Sequence, residues 1–492
     1  MNKTIRNAAV FSLLLVLALL VRATWVQAYK AQALADDKHN RRNVIAQYAQ
    51  PLGDIIVAGS PVTGSKRTVG SDLAFKRTYT DGSLYAAVTG YSSQAYGATQ
   101  LEGIYSKVLG VPPRRSSGGG TDSRLKNPVD ALTGKQQEPG DVLTTIDPAV
   151  QKAAYKALGD TKGAAVAIDP KTGRLLGMVS TPSYDPSEIS GVTDGDAWKK
   201  LLADEDKLLV NRALRQPLPP GSTFKLVVAA AALEDGLYDS VDTKTNSPDP
   251  YTPPGTTRPL ENENKSAPCE NASLRTALQY SCNNVFGKQA VDLGQDKVRA
   301  MAEKFGFNDS KQDSPVRALA SVYPTGMDKP STAYSGIGQF DVTATPMQMA
   351  MVSAAIANDG VMRSPHMVSK VVDADGDTLQ SYEDAASKRI VSSSTAEQLR
   401  SAMVTVVDEG TGTNAKIDGA EVGGKTGTAQ HGENNSKTPY AWFTSYAKDS
   451  STGKEVAVAV LIEDSGAARS EVSGNGLAAP IAKKMMAAAL KS

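Results

Sequence analysis

The chain lacks an excess of charge of either sign. It has 492 residues, of which 53 are basic and 52 are acidic. A nucleic-acid-binding protein normally presents a basic face, so this balance argues against that class. Aromatic residues are also few, at 6%, but apolar residues make up 40% of the chain and still support a sizeable core. The length predicts two or three domains.

Cysteine is almost absent. The two cysteines, Cys269 and Cys282, allow one intramolecular disulfide at most. Export from the cytoplasm would permit this bridge, which would stiffen a short loop. The sequence does not show whether the two Cβ atoms face each other, and the alternative is a pair of unpaired, partly buried thiols. We expect the bridge.

The longest apolar stretch lies near the N-terminus. Lys3 and Arg6 precede an apolar run over 8–21, which Arg22 interrupts and which continues to Ala28. A membrane span needs about 20 residues and a signal-sequence core about 7–15. We expect an uncleaved membrane anchor, and a signal sequence cleaved near Ala28 is the alternative. The two basic residues predict a cytoplasmic N-terminus and an extracytoplasmic remainder.

Three segments are predicted along the chain. Residues 1–29 form a short cytoplasmic tail and the anchor. Residues 30–137 form an N-terminal pedestal or interaction domain without a catalytic cluster or a repeat, in which 53–59 and 85–90 are interpreted as strands. This segment includes a Pro/Gly/Ser-rich linker at 112–120. Residues 138–492 form the third and largest domain.

Apolar runs and turn residues predict the elements of this large domain. Asp147-Pro148 predicts a helix start, and 169–173 predicts a turn between two strands. The predicted helices cover 148–158, 226–233, 274–293 (or two helices that meet at 281–283), 345–357 and 477–490, and the predicted strands cover 164–168, 174–180, 421–428, 440–447 and 455–462. Strands at both ends with helices between them predict one antiparallel sheet covered by helices.

A serine and a lysine stand three residues apart at the start of a predicted helix. Pro219-Pro220-Gly221 precedes Ser222, and an Ala-rich apolar run follows Lys225. Positions i and i+3 share a helix face, so Lys225 can point its amine at the Ser222 hydroxyl. A serine needs a base to become a nucleophile, and desolvation, a second cation and the helix dipole would all favour the neutral amine. The alternative is a capping serine beside a surface-reaching lysine.

Two further motifs follow in the chain. Ser281-Cys282-Asn283 comes first, and Lys425-Thr426-Gly427 lies near the end. Together with Ser222-x-x-Lys225, in this order, they form the set typical of penicillin-binding proteins and class A β-lactamases. The trio therefore favours an acyl-transfer enzyme with a serine nucleophile.

From about residue 138 to its end, the chain resembles the transpeptidase domain of class B, monofunctional penicillin-binding proteins. As a whole it is most similar to the penicillin-binding protein A group. Further matching stretches are 143–148, 211–213, 336–339, 345–350 and 441–443. Phe340 departs from the family, in which a glycine often follows the glutamine, and we interpret it as a packing change. No segment has the size of the glycosyltransferase domain that bifunctional relatives carry.

The resemblance implies an α+β fold with a five-stranded antiparallel sheet flanked by helices, an elongated N-terminal domain and one membrane helix. It implies a peptidoglycan D,D-transpeptidase, inhibited by β-lactams, that needs no metal or cofactor. Ser222 would be acylated by a D-Ala-D-Ala stem peptide with release of D-alanine. An amine of a second stem peptide would then form the cross-link.

The resemblance also implies a role for each motif residue. Lys225 would take the proton of Ser222, and Ser281 would relay a proton to the leaving amine. Asn283 would hold Lys225 and the substrate amide, and Lys425 would add positive charge near the substrate carboxylate. Substrate binding is expected from Thr426, Gly427 and Thr428, and an oxyanion hole from the backbone N–H groups of Ser222 and Thr428. His431, three residues further on, is interpreted as a loop residue at the mouth of the site.

The expected partners are peptidoglycan stem peptides and lipid-linked precursors, β-lactams, the membrane, and a membrane glycosyltransferase of the shape, elongation, division or sporulation family. Three other functions stay open. A D,D-carboxypeptidase would use water as the acceptor. A β-lactamase would need a deacylating carboxylate, for which no convincing motif follows Asn283. A catalytically silent sensor or scaffold is disfavoured because about seven residues precede the apolar run, too few for a cytoplasmic effector.

Overall fold

The computed structural model describes residues 3–30, 45, 48–110, 138–382 and 385–492, so the linker predicted at 112–120 lies outside the described residues. The helices within these ranges are α1 (Lys3–Trp25), α2 (Gly82–Thr89), α3 (Gln100–Ile104), α4 (Pro148–Leu158), α5 (Gly195–Ala203), α6 (Arg212–Arg215), α7 (Lys225–Glu234), α8 (Leu274–Gln279), α9 (Asn283–Leu293), α10 (Gln295–Lys304), α11 (Lys329–Ser335), α12 (Pro346–Ala357), α13 (Ser393–Glu409) and α14 (Ala479–Lys491). The strands are β1 (Ile55–Val57), β2 (Ser60–Pro61), β3 (Thr63–Arg67), β4 (Phe75–Tyr79), β5 (Ser92–Ser93), β6 (Gly97–Ala98), β7 (Asp141–Thr144), β8 (Lys162–Ile168), β9 (Leu175–Thr181), β10 (Val361–Arg363), β11 (Val368–Val372), β12 (Thr378–Ser381), β13 (Ser387–Arg389), β14 (Ala420–Ala429), β15 (Tyr440–Asp449) and β16 (Glu455–Asp464).

The large domain is built on a five-stranded antiparallel sheet in the order β14-β15-β16-β8-β9. Alternate residues of β8 belong to two different cores, with Ala164 and Val166 on one face and Ala165 and Ala167 on the other. A strand points successive side chains to opposite faces, so a run buried on both faces is apolar throughout. Helices α4 and α14 cover one face, and α12 packs against the other.

Helices α7 and α12 lie in the interior of the large domain. Every residue of α12 is buried, and the buried part of α7 runs from Lys225 to Ala232. A helix that is apolar all round has no face suited to solvent, which explains this placement. The side chain of Thr345 accepts a hydrogen bond from the Gln348 N–H and so caps α12. The predicted helix at 345–357 is confirmed to within one residue.

A second sheet joins segments that are distant in the chain. Its order is β12-β11-β7-β1-β2, and β7 pairs in parallel with β1 and antiparallel with β11. The N-terminal strands therefore share a sheet with strands at 368–381, deep in the second half of the sequence. Beside this sheet, the buried Arg77 places its Nε atom 2.7 Å from Glu102 Oε1 and donates from Nη1 to the Gly53 carbonyl at 2.7 Å.

One strand prediction is wrong. Residues 85–90 were expected to be extended, but 82–89 form helix α2, which packs against β9. Tyr85 to Thr89 are buried, so the segment has no polar face whose period would separate helix from strand. The carbonyls of Leu84 and Ala87 accept hydrogen bonds from Gln151 and Asn211 of the large domain. These contacts fix the helix at the junction.

Helix α1 is the one helix in the described part of the chain that is long and apolar enough to cross a membrane, by length and composition. It has 23 residues, and none of them is buried. A signal sequence near an N-terminus meets the same criteria, so the two alternatives drawn from the sequence both agree with it.

Candidate active site

Ser222 lies in a single turn of 3-10 helix, Gly221–Phe224, and Lys225 is the first residue of α7. The buried Phe224 stacks on Tyr323 at 5.6 Å between ring centroids and meets Phe307 edge-on at 5.4 Å. This aromatic packing anchors the turn in the core. Ser222 itself is only partly buried, so its hydroxyl sits at the surface of a rigid element.

Two glycines allow other backbone segments to approach the Ser222 turn. The Gly221 N–H donates to the Gly338 carbonyl at 3.0 Å. Gly338 has a φ of +68°, and a Cβ added there would lie 2.1 Å from the Gly221 carbonyl oxygen. A Cβ on Gly427 of β14 would lie 2.8 Å from the Pro220 carbonyl oxygen. The turn is thus held between two segments that tolerate no side chain.

We expect Gly338→Ala to slow acylation by about tenfold or more, because the added methyl must displace the Gly221 carbonyl and shift the neighbouring nucleophile. Gly326→Ala is the matched control, since Gly326 has a φ of +71° and open space around it. Both variants bear the left-handed backbone cost of roughly 1–2 kcal/mol, seen in denaturant unfolding. Equal acylation rates for the two variants would contradict the prediction.

The amine of Lys225 is buried and turned toward the Ser281-x-Asn283 motif. Its Nζ atom lies 2.7 Å from both the Ser281 carbonyl oxygen and Asn283 Oδ1, and 3.2 Å from Ser281 Oγ. Among the described residues no hydrogen bond joins this amine to the Ser222 hydroxyl. In place of the predicted direct contact, the amine has two oxygen acceptors at 2.7 Å. Lys225 itself directly follows the turn that carries Ser222.

Ser281 Oγ lies between two buried lysines. It is 3.2 Å from Lys225 Nζ and accepts a hydrogen bond from Lys425 Nζ at 2.9 Å. Burial and the neighbouring Lys425 hold the pKa of Lys225 well below its usual range, and burial lowers the pKa of Lys425 to about 7. A neutral Lys225 amine has two N–H groups for its two 2.7 Å acceptors, and its lone pair is left to accept a proton. The lowered pKa of Lys225 favours its uncharged amine, which a base needs.

The third motif lies on β14, at the edge of the large sheet. Lys425, Thr426 and Gly427 are buried, and Thr428 is partly exposed. The Thr426 hydroxyl donates to Thr411 Oγ1 at 2.9 Å. The structure therefore brings Ser222, Lys225, Ser281, Asn283 and Lys425 to one place, with 426–428 alongside.

Thr411 is a site residue that the sequence motifs did not reveal. It stands between two glycines directly after α13, and its N–H donates to the Gln279 carbonyl at 3.1 Å. A Gly-Thr-Gly turn after a predicted helix is a weak signal by itself, because glycine pairs are common in loops. Its contact with Thr426 depends on a fold that brings residues 411 and 426 together.

Phe340 and His431 lie at the rim. Phe340 is 48% exposed, so its side chain does not change the packing of the core, and the interpretation as a packing change is wrong. Its φ of +61° is a backbone conformation that glycine adopts more readily. His431 Nε2 lies 2.6 Å from the Thr438 carbonyl oxygen, and its ring stacks on Tyr440 at 3.9 Å. These contacts hold the β14–β15 loop together, in agreement with the predicted loop position.

A disulfide joins Cys269 to Cys282, inside the second motif. Both residues are buried, and the Asn284 side chain donates to the Cys269 carbonyl at 2.9 Å. Ser281, directly before Cys282, has a φ of +60°, which a serine rarely adopts. The bridge and the Asn284 side chain therefore both tie this strained motif to the loop at Cys269.

We expect Cys269→Ser to lower the free energy of unfolding by roughly 3 kcal/mol, because the bridge closes a loop of similar length to those for which this value holds. We also expect slower acylation, since Asn283 follows the bridged residue. Urea unfolding and β-lactam acylation rates measure the two effects. Wild-type protein reduced with dithiothreitol is the matched control and should behave like the variant. An unchanged unfolding midpoint in both samples would contradict the expectation.

Known families match nearly the whole described chain. The penicillin binding protein transpeptidase domain matches residues 163–487, and the penicillin binding protein A dimerisation domain matches 52–142. The peptidoglycan D,D-transpeptidase PbpA of Mycolicibacterium smegmatis is 37% identical over 100% of this chain and 99% of its own length. This chain belongs to the penicillin-binding protein transpeptidase family. PbpA of Mycobacterium tuberculosis is 35% identical to this penicillin-binding protein over the same shares of the two chains.

Solved structures agree with this membership. The ceftriaxone acyl-enzyme complex of penicillin-binding protein A from M. tuberculosis matches with a TM-score of 0.81 and 33% identity, over 91% of this penicillin-binding protein and 100% of that chain. The D,D-transpeptidase domain of a peptidoglycan glycosyltransferase from Eggerthella lenta matches with a TM-score of 0.74 and 31% identity, over 90% and 98%. The predicted family and the predicted α+β fold with its five-stranded antiparallel sheet are confirmed.

Proposed function

We propose that this chain is a peptidoglycan D,D-transpeptidase with Ser222 as its nucleophile. The observation that carries the proposal is the position of the Ser281 hydroxyl between the buried amines of Lys225 and Lys425. Lys225 lies one helical turn after Ser222. Such a pair supplies both a neutral base and a positive charge without a metal ion. The full-length relatives named as D,D-transpeptidases support the same reaction.

In the acylation half-reaction, Ser222 Oγ attacks the carbonyl carbon of the penultimate D-alanine. Its proton passes to the uncharged amine of Lys225. The C–N bond to the last D-alanine breaks, and Ser281 relays a proton from the lysine pair to the leaving nitrogen. Lys225 and Lys425 both hydrogen-bond Ser281, so the proton crosses from base to leaving group through one hydroxyl.

Residues of the second and third motifs hold the substrate. Asn283 keeps Lys225 in place and receives the substrate amide, while Lys425 supplies positive charge to the terminal carboxylate. Thr426 and Thr428 bind that carboxylate through their hydroxyls, and Gly427 lets the Pro220 carbonyl approach β14. The backbone N–H groups of Ser222 and Thr428 form the oxyanion hole, where one lost donor costs about 3–4 kcal/mol in other acyl-transfer enzymes.

The second half-reaction transfers the acyl group. An amine of a second stem peptide attacks the ester carbonyl, the bond to Ser222 Oγ breaks, and one amine proton returns to that oxygen. The product is the cross-link. The lysine pair serves both half-reactions, because the proton that Lys225 accepts in the first is passed on before the second begins.

The organisation of the chain fits this activity at a membrane. Residues 1–29 form a cytoplasmic tail and an uncleaved single-pass anchor, residues 30–137 a pedestal, and residues 138–492 the extracytoplasmic transpeptidase domain. Helix α1 supports the anchor. Lipid-linked precursors are polymerised at the membrane surface, so a membrane glycosyltransferase of the shape, elongation, division or sporulation family is the partner.

The test uses full-length protein in detergent with a D-Ala-D-Ala stem peptide and a second peptide that carries a free amine. We expect release of D-alanine together with a cross-linked product by mass spectrometry, and loss of both after benzylpenicillin. D-alanine release without cross-linking would select a carboxypeptidase. Rapid release of penicilloate would select a β-lactamase, and inactivity toward the peptides combined with a stable penicillin adduct would select a sensor or scaffold.

A further inference from the structure

A short segment at the rim, residues 260–264, is fixed against the second motif. The side-chain amide of Asn283 donates to the Glu261 carbonyl at 2.9 Å, and its backbone N–H donates to Asn262 Oδ1 at 2.5 Å. Leu260 is buried, and a Cβ added to Gly287 of α9 would lie 2.3 Å from its side chain. The rim segment therefore has a definite position relative to the base Lys225, which Asn283 also binds.

Of the two carboxylates in the rim segment, Glu263 is the one that can bind a ligand. It is exposed, and among the described residues it has no ion pair and no hydrogen bond. The neighbouring Glu261 differs, because its Oε2 atom lies 3.5 Å from Lys265 Nζ. The negative charge of Glu263 is close enough to raise the pKa of both Lys225 and Lys425 against the effect of burial.

The second half-reaction creates a need for such a group. The acceptor is a primary amine, which at neutral pH arrives as an ammonium ion. It must approach a site that already holds the positive charge of the lysine pair, and like charges at short range oppose binding. A carboxylate at the entrance would offset this repulsion and orient the ammonium toward the ester on Ser222.

We propose that Glu263 binds the ammonium group of the acceptor and makes the enzyme prefer amines that carry no carboxylate on the same carbon. The assignment rests on the proposed transpeptidase function. In the reaction the ammonium ion first loses one proton to solvent, the nitrogen then attacks the ester carbonyl, the bond to Ser222 Oγ breaks, and a second nitrogen proton goes to that oxygen. An acceptor with an adjacent carboxylate would bring a negative charge against Glu263 and bind less well.

The test compares two acceptors at pH 8, where both amines are largely protonated. Nα-acetyl-lysine amide has one side-chain ammonium and no carboxylate. Deuterium-labelled D-alanine has a carboxylate next to its ammonium, and its label distinguishes the aminolysis product from the donor peptide, which has the same composition. For each acceptor, the ratio of aminolysis to hydrolysis of the stem-peptide acyl-enzyme is measured by mass spectrometry. Acylation by benzylpenicillin is measured in parallel as an acceptor-independent readout.

We expect Glu263→Gln to lower the aminolysis ratio for Nα-acetyl-lysine amide by about tenfold, which corresponds to one charge-assisted hydrogen bond. The ratio for D-alanine should stay the same or rise. Penicillin acylation reports separately any effect of the lost charge on the lysine pair, which does not enter the ratio of aminolysis to hydrolysis. Glu261→Gln is the matched control, because its backbone carbonyl still binds Asn283 and its carboxylate already pairs with Lys265. The preference of the wild type for Nα-acetyl-lysine amide over D-alanine should also weaken at high salt, which screens the charge of the exposed Glu263 carboxylate.

Equal loss for both acceptors, or no loss for either, would overturn the role of Glu263, and so would an equal effect of Glu261→Gln. Failure of the proposed function can be distinguished from failure of the Glu263 assignment, because it would already be seen in the wild-type protein. D-alanine release without aminolysis of any acceptor would overturn the transpeptidase function and the Glu263 assignment together.

Discussion

Replacing Ser222 with alanine is expected to abolish the one-to-one covalent adduct with benzylpenicillin. The hydroxyl oxygen forms the ester, and the buried Thr223, which already donates to the Pro220 carbonyl at 2.8 Å, is in no position to replace it. Ser222 is partly exposed, and its side chain has no hydrogen bond among the described residues, so the free energy of unfolding should change by no more than about 0.5 kcal/mol. Intact-mass spectrometry and urea unfolding measure the two quantities.

Ser450→Ala is the control for this variant. Ser450 is exposed in the turn after β15, at the end of the strand opposite to Tyr440 and the third motif. This control should form the adduct as the wild type does. An adduct that persists in Ser222→Ala, or one that a peptide map locates on Ser281, would show that a different hydroxyl carries the acyl group.

Replacing Lys225 with methionine is expected to slow acylation roughly a thousandfold, within the range of general-base contributions. Lys225 directly follows the Ser222 turn and its lowered pKa favours the uncharged amine, whereas methionine has a similar length but no basic nitrogen. Lys225→Arg should be nearly as slow, because guanidinium stays protonated at every accessible pH. Stopped-flow acylation by a chromogenic β-lactam measures both rates.

The same variant should change how stability depends on pH. The folded-state pKa of Lys225 is lowered, so between that value and about 10.4 the unfolded chain binds more protons than the folded one. Wild-type stability gains from this group as pH rises from the lowered folded-state pKa toward about 10.4, and the gain is absent in Lys225→Met. The difference in free energy of unfolding, wild type minus variant, should therefore increase over this window.

Lys297→Met is the control for the pH experiment. Lys297 lies on α10, is 57% exposed and pairs with Asp235 at 2.8 Å. Its replacement should leave the acylation rate unchanged and should add no such rise with pH. Parallel stability curves for the wild type and Lys225→Met would mean that Lys225 keeps an ordinary pKa, and the proposed base would then be wrong.

Local patterns predicted the elements that carry the motifs. The boundaries of α4 follow from Asp147-Pro148 at its start, where the Asp147 side chain accepts from the Ala149 and Val150 N–H groups. The break between α8 and α9 covers 280–282 and α9 begins at Asn283, which agrees with the predicted pair of helices that meet at 281–283. These features depend on caps, turns and apolar runs within about ten residues, so the sequence contains them directly.

Long-range features were harder to predict. Strand β11 pairs with β7 across more than two hundred residues, and no local pattern encodes such a partner. The same limit applies to Thr411 and Glu263, which are ordinary loop residues until the fold brings them to the motifs. The Lys225 amine points toward Ser281 and Asn283. Helix geometry alone predicts instead that it points at the Ser222 hydroxyl, because the positions of the other two residues depend on the fold.

The shared sheet has a consequence for how the protein matures. Strand β1 pairs with β7, β7 pairs with β11, and β11 pairs with β12, which ends at Ser381. Synthesis from the N-terminus onward delivers residues 55–57 long before residues 368–381. During that interval one edge of β7 has no neighbour, and unpaired strand edges are templates for wrong partners. Chaperones that shield extended segments should therefore matter most for this protein while its middle third is being synthesised.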